Sequence, residues 1–142
     1  MKRTTLISAA IAACAIAGLS VAVNAGEQKE EYKAPGASKE VLLHQQGLAA
    51  GDQLEARVIR FDVPAGHVGG RHYHTGDLIV YVQSGSLTAE TENGTKTYKA
   101  GEAFYETPGE VMRANNKNTA ENTVLVIFQV GVQGEPLMVK AE

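Results

Sequence analysis

The sequence predicts an all-β fold, a small sandwich or barrel, on three observations. Short β-rich runs recur at close spacing between residues 54 and 130. Gly, Pro and Asn-Gly signals punctuate them, as tight turns require. Beyond the N-terminal apolar stretch, no segment holds the 3.6-residue period of an amphipathic helix, so a sheet must supply the core.

In chain order, Met1-Lys2-Arg3 is a short positive start, and residues 6–23 are apolar, alanine-rich and uncharged. Val23-Asn24-Ala25 then places small residues ahead of the polar run Gly26-Glu27-Gln28-Lys29. This is the three-part pattern of a secretory signal peptide, residues 1–25, cleaved after Ala25. An uncleaved anchor is the alternative on length alone. The alanine and glycine content makes the stretch weakly hydrophobic, and the small-residue exit favours cleavage. A lipoprotein reading through Cys14 is disfavoured because the apolar run continues beyond that residue. Residues 26–40 are polar and read as a flexible lead-in, and residues 41–142 as the barrel domain.

Within that domain, Val41-Leu42-Leu43-His44 suits a short edge strand, and residues 47–51 a turn or brief helical loop. In residues 54–63, Ala56 and Val58 alternate with Arg57, Ile59 and Phe61, and Pro64-Ala65-Gly66 ends the strand. His72 and His74 precede a turn at Thr75-Gly76-Asp77, and Leu78-Ile79-Val80-Tyr81-Val82 follows as a strand. Residues 86–91 alternate, and Asn93-Gly94 joins them by a hairpin to Thr95-Lys96-Thr97-Tyr98. Ala103-Phe104-Tyr105 and residues 111–114 are short strands separated by Thr107-Pro108-Gly109. Residues 123–130, TVLVIFQV, are apolar on both faces and predict a central buried strand. In the tail, Pro136 excludes a central strand position.

The charge balance limits the partners. The formal charge is −3 for the whole chain, and removing Lys2 and Arg3 with the leader makes it −3 − 2 = −5, since residues 1–25 hold no Asp or Glu. A mildly acidic domain has no electrostatic footprint for nucleic acid or anionic lipid, and no stable membrane insertion is expected after cleavage. The one cysteine, Cys14, falls in the leader, so the mature domain has neither a disulfide nor a thiolate ligand. A periplasmic or secreted location is compatible with that composition.

Chemistry concentrates in residues 66–85, GHVGGRHYHTGDLIVYVQSG. His72 and His74 stand two apart, so on a strand both imidazoles share one face and form half of a metal site. The spacing Gly66, His72-x-His74, Gly85 resembles the first motif of the cupin family, G-x5-H-x-H-x3,4-E-x6-G, with Leu78 at the place of the glutamate. Residues 101–116 are similar to the second motif, G-x5-P-x-G-x2-H-x3-N. Gly101, Gly109 and Asn116 fall in place, while Thr107 replaces the proline and Met112 the histidine. The resemblance implies a single small jelly-roll barrel with an open mouth, frequent homodimers, and a divalent metal held by three histidines and a glutamate.

Of that ligand set, only His72 and His74 match. Asp77 is one residue from the glutamate position, which turns its side chain to the other face unless the turn bends. Met112 permits two readings. As an apolar filler it leaves a plain ligand cavity with two histidines. As a thioether ligand it joins His72 and His74 in a soft site that suits copper, above all Cu(I). His67, near the mouth, reads as a loop histidine or a cap on the site, and His44 lies outside it. Arg113 faces away from Met112 by strand alternation. The sequence thus supports a non-catalytic protein that binds a soft transition metal or small ligand through His72, His74 and Met112. A metal-dependent dioxygenase or isomerase is the alternative, and it lacks an obvious carboxylate near the histidines.

Overall fold

The computed structural model describes residues 29–142. The predicted leader, residues 1–25, lies outside the described residues. Ten strands follow in order: β1 (Ser38–Leu48), β2 (Gly51–Val63), β3 (His72–His74), β4 (Asp77–Ser84), β5 (Ser86–Thr91), β6 (Gly94–Lys99), β7 (Ala103–Glu106), β8 (Met112–Asn115), β9 (Thr123–Val132) and β10 (Met138–Lys140). They form two five-stranded antiparallel sheets, β1-β2-β9-β4-β7 and β10-β3-β8-β5-β6. The described residues contain no helix, in agreement with the predicted all-β jelly roll.

The alternation read from the sequence places the core. Ile59, Phe61 and Val63 of β2, Leu78, Val80 and Val82 of β4, and Leu125 and Ile127 of β9 are buried on one face of the first sheet. Leu87 of β5 and Leu137 and Met138 of the tail meet them from the second. β9 is central, as its apolar run predicts, pairing β2 along one edge and β4 along the other. Only one of its faces is buried in the single chain; Phe128 and Val130 stand exposed on the other.

Three boundaries differ from the sequence reading. β1 extends over eleven residues and runs into β2 through a tight turn at Ala49-Ala50, because β2 begins at Gly51 and offers a long edge to pair with. The Asn93-Gly94 hairpin forms one residue earlier than expected: Thr91 pairs with Gly94, and Glu92-Asn93 make the turn. The Thr91 hydroxyl accepts the Asn93 amide and fixes that register. The tail forms a strand after Pro136, with Met138 opposite His74 and Lys140 opposite His72.

The ends of the first motif are glycines for a backbone reason. Gly66 and Gly85 have φ of 69° and 75°, a region in which a side chain is strained. At Gly85 a Cβ would also lie 2.8 Å from the Thr123 hydroxyl. Asn116, at the end of the second motif, ties the same end of the barrel. Its buried amide donates to Pro64 O (3.0 Å) and Glu121 O (2.8 Å), and its Oδ1 accepts the Asn118 amide (3.1 Å).

Asn116→Ala strands those carbonyls and one amide in a site only 1% exposed. A loss of about 2–3 kcal/mol in urea-induced unfolding is expected. A loss within about 0.5 kcal/mol, the range of an ordinary surface change, would show that the loop is held some other way.

Candidate functional site

The site forms where β3 meets the end of β4 and β7. β3 is three residues long, and strand alternation turns His72 and His74 inward while Tyr73 points out. Both imidazoles are about 5% exposed, with ring centroids 5.1 Å apart and planes at 89°. Each ring is oriented by a main-chain carbonyl. His72 Nδ1 donates to Gly70 O at 2.9 Å and His74 Nδ1 to Leu137 O at 3.0 Å. A carbonyl only accepts, so the Nδ1 atoms carry the protons and the Nε2 atoms are left for other partners.

The third group is Glu106, the last residue of β7, which the sequence reading left outside the site. Its Oε2 lies 3.0 Å from His74 Nε2, and its side chain is 10% exposed. Register explains its place. Glu106 is directly opposite Leu78 across the β4–β7 pair, so the two share a face. Leu78 itself is completely buried. The carboxylate absent from β4 is thus supplied by the adjacent strand. Because His74 Nδ1 already donates to Leu137 O, the Nε2–Oε2 contact needs one proton between imidazole and carboxylate.

The other singled-out residues are distributed as follows. Met112 is buried and pairs directly with His72, yet it does not line the cavity that holds the histidines. It borders instead a shallow depression beside Arg71, Glu90 and Thr91. Asp77 lies on the outer face, where the Tyr105 hydroxyl donates to it. His67 is half-buried and lines the cavity. His44 is far along β1 and bonds to Glu55 at 2.8 Å. Arg113 is exposed, as alternation predicts.

The cavity is small, about 50 Å³, and its walls between the sheets are apolar, including Phe61, Val63, Val80 and Ile127. Its mouth is closed by part of the segment that composition marks as a lead-in. Tyr32 stacks on His72 with centroids 5.5 Å apart and planes at 19°. The Tyr32 amide donates to Met138 O at 2.8 Å, and its hydroxyl accepts the Gly70 amide at 3.0 Å. Tyr32 therefore bonds to the same glycine, Gly70, whose carbonyl orients His72. Nothing in a polar, charged stretch such as residues 27–33 signals this role; only the pairing of Glu31 with Val139 brings it across the barrel mouth.

Burial is the largest influence on His72 and lowers its pKa below the ordinary imidazole value; the Gly70 carbonyl opposes this and His74 adds to it. Among the described residues, no group of three or more His, Cys, Asp or Glu is gathered closely enough to hold a metal ion. The chemistry of the donors nonetheless fits one: two imidazoles with oriented Nε2 atoms and a carboxyl group beside them.

The comparisons agree with this architecture. Residues 59–128 match the family model described as a cupin domain. No curated protein sequence matches the chain. Among solved structures, a cupin domain from Bordetella pertussis is 23% identical with a TM-score of 0.54, covering 71% of this chain and 99% of that one. A protein with a double-stranded β-helix domain from Klebsiella pneumoniae is 21% identical with a TM-score of 0.57, covering 79% and 90%. A DMSP lyase from Ruegeria pomeroyi is 16% identical with a TM-score of 0.58, covering 74% of this chain and 51% of that one. At these identities the likeness extends to the fold.

A buried His72 held neutral makes metal-free stability depend on pH. Its folded pKa is lowered, so the unfolded chain binds more protons as acid is added. Stability is intact above the unfolded value of about 6.5 and declines as the pH falls from there through the folded value. Urea midpoints followed over this window should fall more steeply for wild type than for His72→Gln. Parallel curves would remove His72 as the cause.

Proposed function

This chain carries a cupin domain, and we propose that it is an exported binding protein whose cavity takes a divalent transition metal on His72, His74 and Glu106. One observation carries the reading: main-chain carbonyls occupy both Nδ1 atoms, so both Nε2 atoms are free of backbone partners beside a buried carboxylate. Metal-binding histidines are oriented in this way. When bound, the ion supplies a Lewis-acidic centre. The chain's own part is to hold the two imidazoles in one tautomer, and to release from the His74–Glu106 contact the proton that the ion displaces.

Two imidazoles and a carboxylate form a nitrogen–oxygen set that suits Zn²⁺, Ni²⁺ or Cu²⁺. Copper remains the favoured metal because Cu²⁺ heads the affinity order for such donors. The thioether version of the copper site, with Met112 as ligand, is less well supported, since Met112 borders a different depression. Binding is favoured over turnover by the size of the cavity. At about 50 Å³ beside Tyr32 it has room for an ion and a few waters rather than for a large substrate. Export is proposed from the leader pattern and the absence of any cysteine after Cys14.

Calorimetric titration of the apo protein with Cu²⁺ and Zn²⁺ tests the site. His72→Ala and His74→Ala should abolish tight binding, and Glu106→Gln should weaken it by about 10–100-fold. Met112→Leu should leave it unchanged. Loss of copper binding in Met112→Leu with full binding in Glu106→Gln would reverse the assignment and restore the thioether. Titration in buffers of different ionisation enthalpy should show proton release that Glu106→Gln reduces. For export, the intact mass of the mature protein should lack residues 1–25; a full-length, membrane-bound product would refute it.

A further inference from the structure

Tyr32 stands between two spaces. Inside it lies the cavity of about 50 Å³ that holds His72, His74 and Glu106. Outside it runs a groove of about 160 Å³ bordered by Glu31, Lys33 and Lys39. Tyr32, Ala34, Phe61 and Met138 line both. Phe61 and Met138 belong to the buried core, whereas Tyr32 and Ala34 sit on a strap that only packs against it. The strap is lightly held. It joins β10 through the isolated bridge of Glu31 with Val139 and the Tyr32 amide on Met138 O. β10 itself is three residues long and lies at the edge of its sheet. The ion pair of Glu31 with Lys39 is about a third exposed on each side and adds little. Ala34-Pro35-Gly36-Ala37 then forms a turn, with Ala37 N donating to Ala34 O at 3.2 Å and Gly36 at φ 75°, the geometry of type II. β1 starts directly after it and is paired with β2 along its length. Residues 29–34 can therefore swing about the turn while β1 stays fixed.

We propose that residues 29–34 are a gate over the histidine site, hinged at Pro35-Gly36 and latched by Tyr32. The latch has two contacts, and both end at the site. The phenol ring stacks on His72 with centroids 5.5 Å apart and planes at 19°, and the hydroxyl accepts the Gly70 amide at 3.0 Å. Lifting the strap uncovers the face of His72, which is 5% exposed when the strap is down, and joins the cavity to the groove. A segment with one bridge and no strand of its own opens locally, without disturbing either sheet. The closed strap shields the imidazoles from water, so the gate sets how fast a ligand enters and leaves rather than how tightly it is held. For a metal ion, this consequence rests on the reading of His72, His74 and Glu106 as its ligands. The gate itself rests on the strap alone.

Locking the strap tests the gate. Glu31 and Val139 are an antiparallel pair flanked by the Tyr32 N–Met138 O bond. In such non-hydrogen-bonded pairs the Cα atoms stand about 4.5 Å apart, within reach of a disulfide. In a Cys14→Ser background, Glu31→Cys with Val139→Cys gives one protein to compare oxidised and reduced. Without metal, diethyl pyrocarbonate should modify His72 at least about tenfold more slowly in the oxidised form, and reduction should restore the rate. His44, on β1, should react equally in both. Tyr32→Phe keeps the ring but removes the hydroxyl from Gly70, so it should speed His72 modification by about 2–10-fold. Equal His72 modification in the oxidised and reduced forms, or a Tyr32→Phe protein no faster than wild type, would overturn the gate. The oxidised form should also take up and release Zn²⁺ more slowly than the Cys14→Ser parent, by one common factor that leaves the affinity unchanged; zinc rates that ignore the lock would overturn the gate as well. A parent that binds neither Zn²⁺ nor Cu²⁺ refutes the metal reading instead, and the histidine modification then decides the gate by itself.

Discussion

Two main-chain carbonyls, Gly70 O and Leu137 O, decide what this barrel offers to a ligand. Each accepts an imidazole Nδ1 proton, which leaves Nε2 as the ring atom open to other partners and aims it away from the backbone. Neither carbonyl belongs to the histidine strand. Leu137 O arrives with the tail, whose β10 pairs with β3 along its whole length. Gly70 is held from the other side, because its own amide donates to the Tyr32 hydroxyl. Segments from both ends of the domain thus converge on two short bonds, and the three-residue β3 relies on them for its rigidity. A short strand with so few ladder bonds of its own could not otherwise hold two rings in fixed rotamers.

Glu106 shows how a carboxyl group can reach His74 from β7 rather than from β4. The requirement on β4 is physical: a carboxylate on the inner face, within reach of His74. Directly opposite positions on antiparallel neighbours place Cβ atoms about 5 Å apart on the same side of the sheet. A carboxyl group on β7 can therefore reach the same ring that one on β4 would, with an apolar residue filling the β4 position. Leu78, fully buried between Gln129 and Glu106 across the sheet, does that. The arrangement also keeps a second charged group from being buried without a partner, which would carry a heavy desolvation cost.

What was legible in the sequence was what depends on near neighbours. The two-residue spacing of His72 and His74, the alternation of β2 and the turn glycines are local signals, and each matches the structure. Asp77 was correctly suspect, since alternation alone puts it outside. Glu106 was not legible because its role comes from a register between strands 28 residues apart in the chain, Leu78 with Glu106. Tyr32 was hidden for a similar reason: a polar lead-in carries no period, and only the bridge from Glu31 to Val139 carries it to the mouth. The burial of Leu137 and Met138 escaped notice because Pro136 argues against a central strand, and β10 follows it as the edge strand that a proline permits. For β9 the apolar run correctly announced a central strand. Its second face, with Phe128 and Val130, is exposed rather than buried.

That second face is connected to the first by the shortest possible path. Ile79 and Tyr105 point outward, and their chain neighbours Leu78 and Glu106 point inward to the site. Any contact that immobilises the outer row fixes the same peptide units from which Leu78 and Glu106 project. β7 needs such support most, being four residues long and at the edge of its sheet. Its ladder to β4 is its one strand partner, and Glu106 is its last residue, where a strand frays first. The Tyr105 hydroxyl, held from outside by Asp77, restricts the residue next to Glu106. The Tyr105–Asp77 bond outside and the His74–Glu106 contact inside then answer one constraint, that a short edge strand must deliver a polar group to a fixed point.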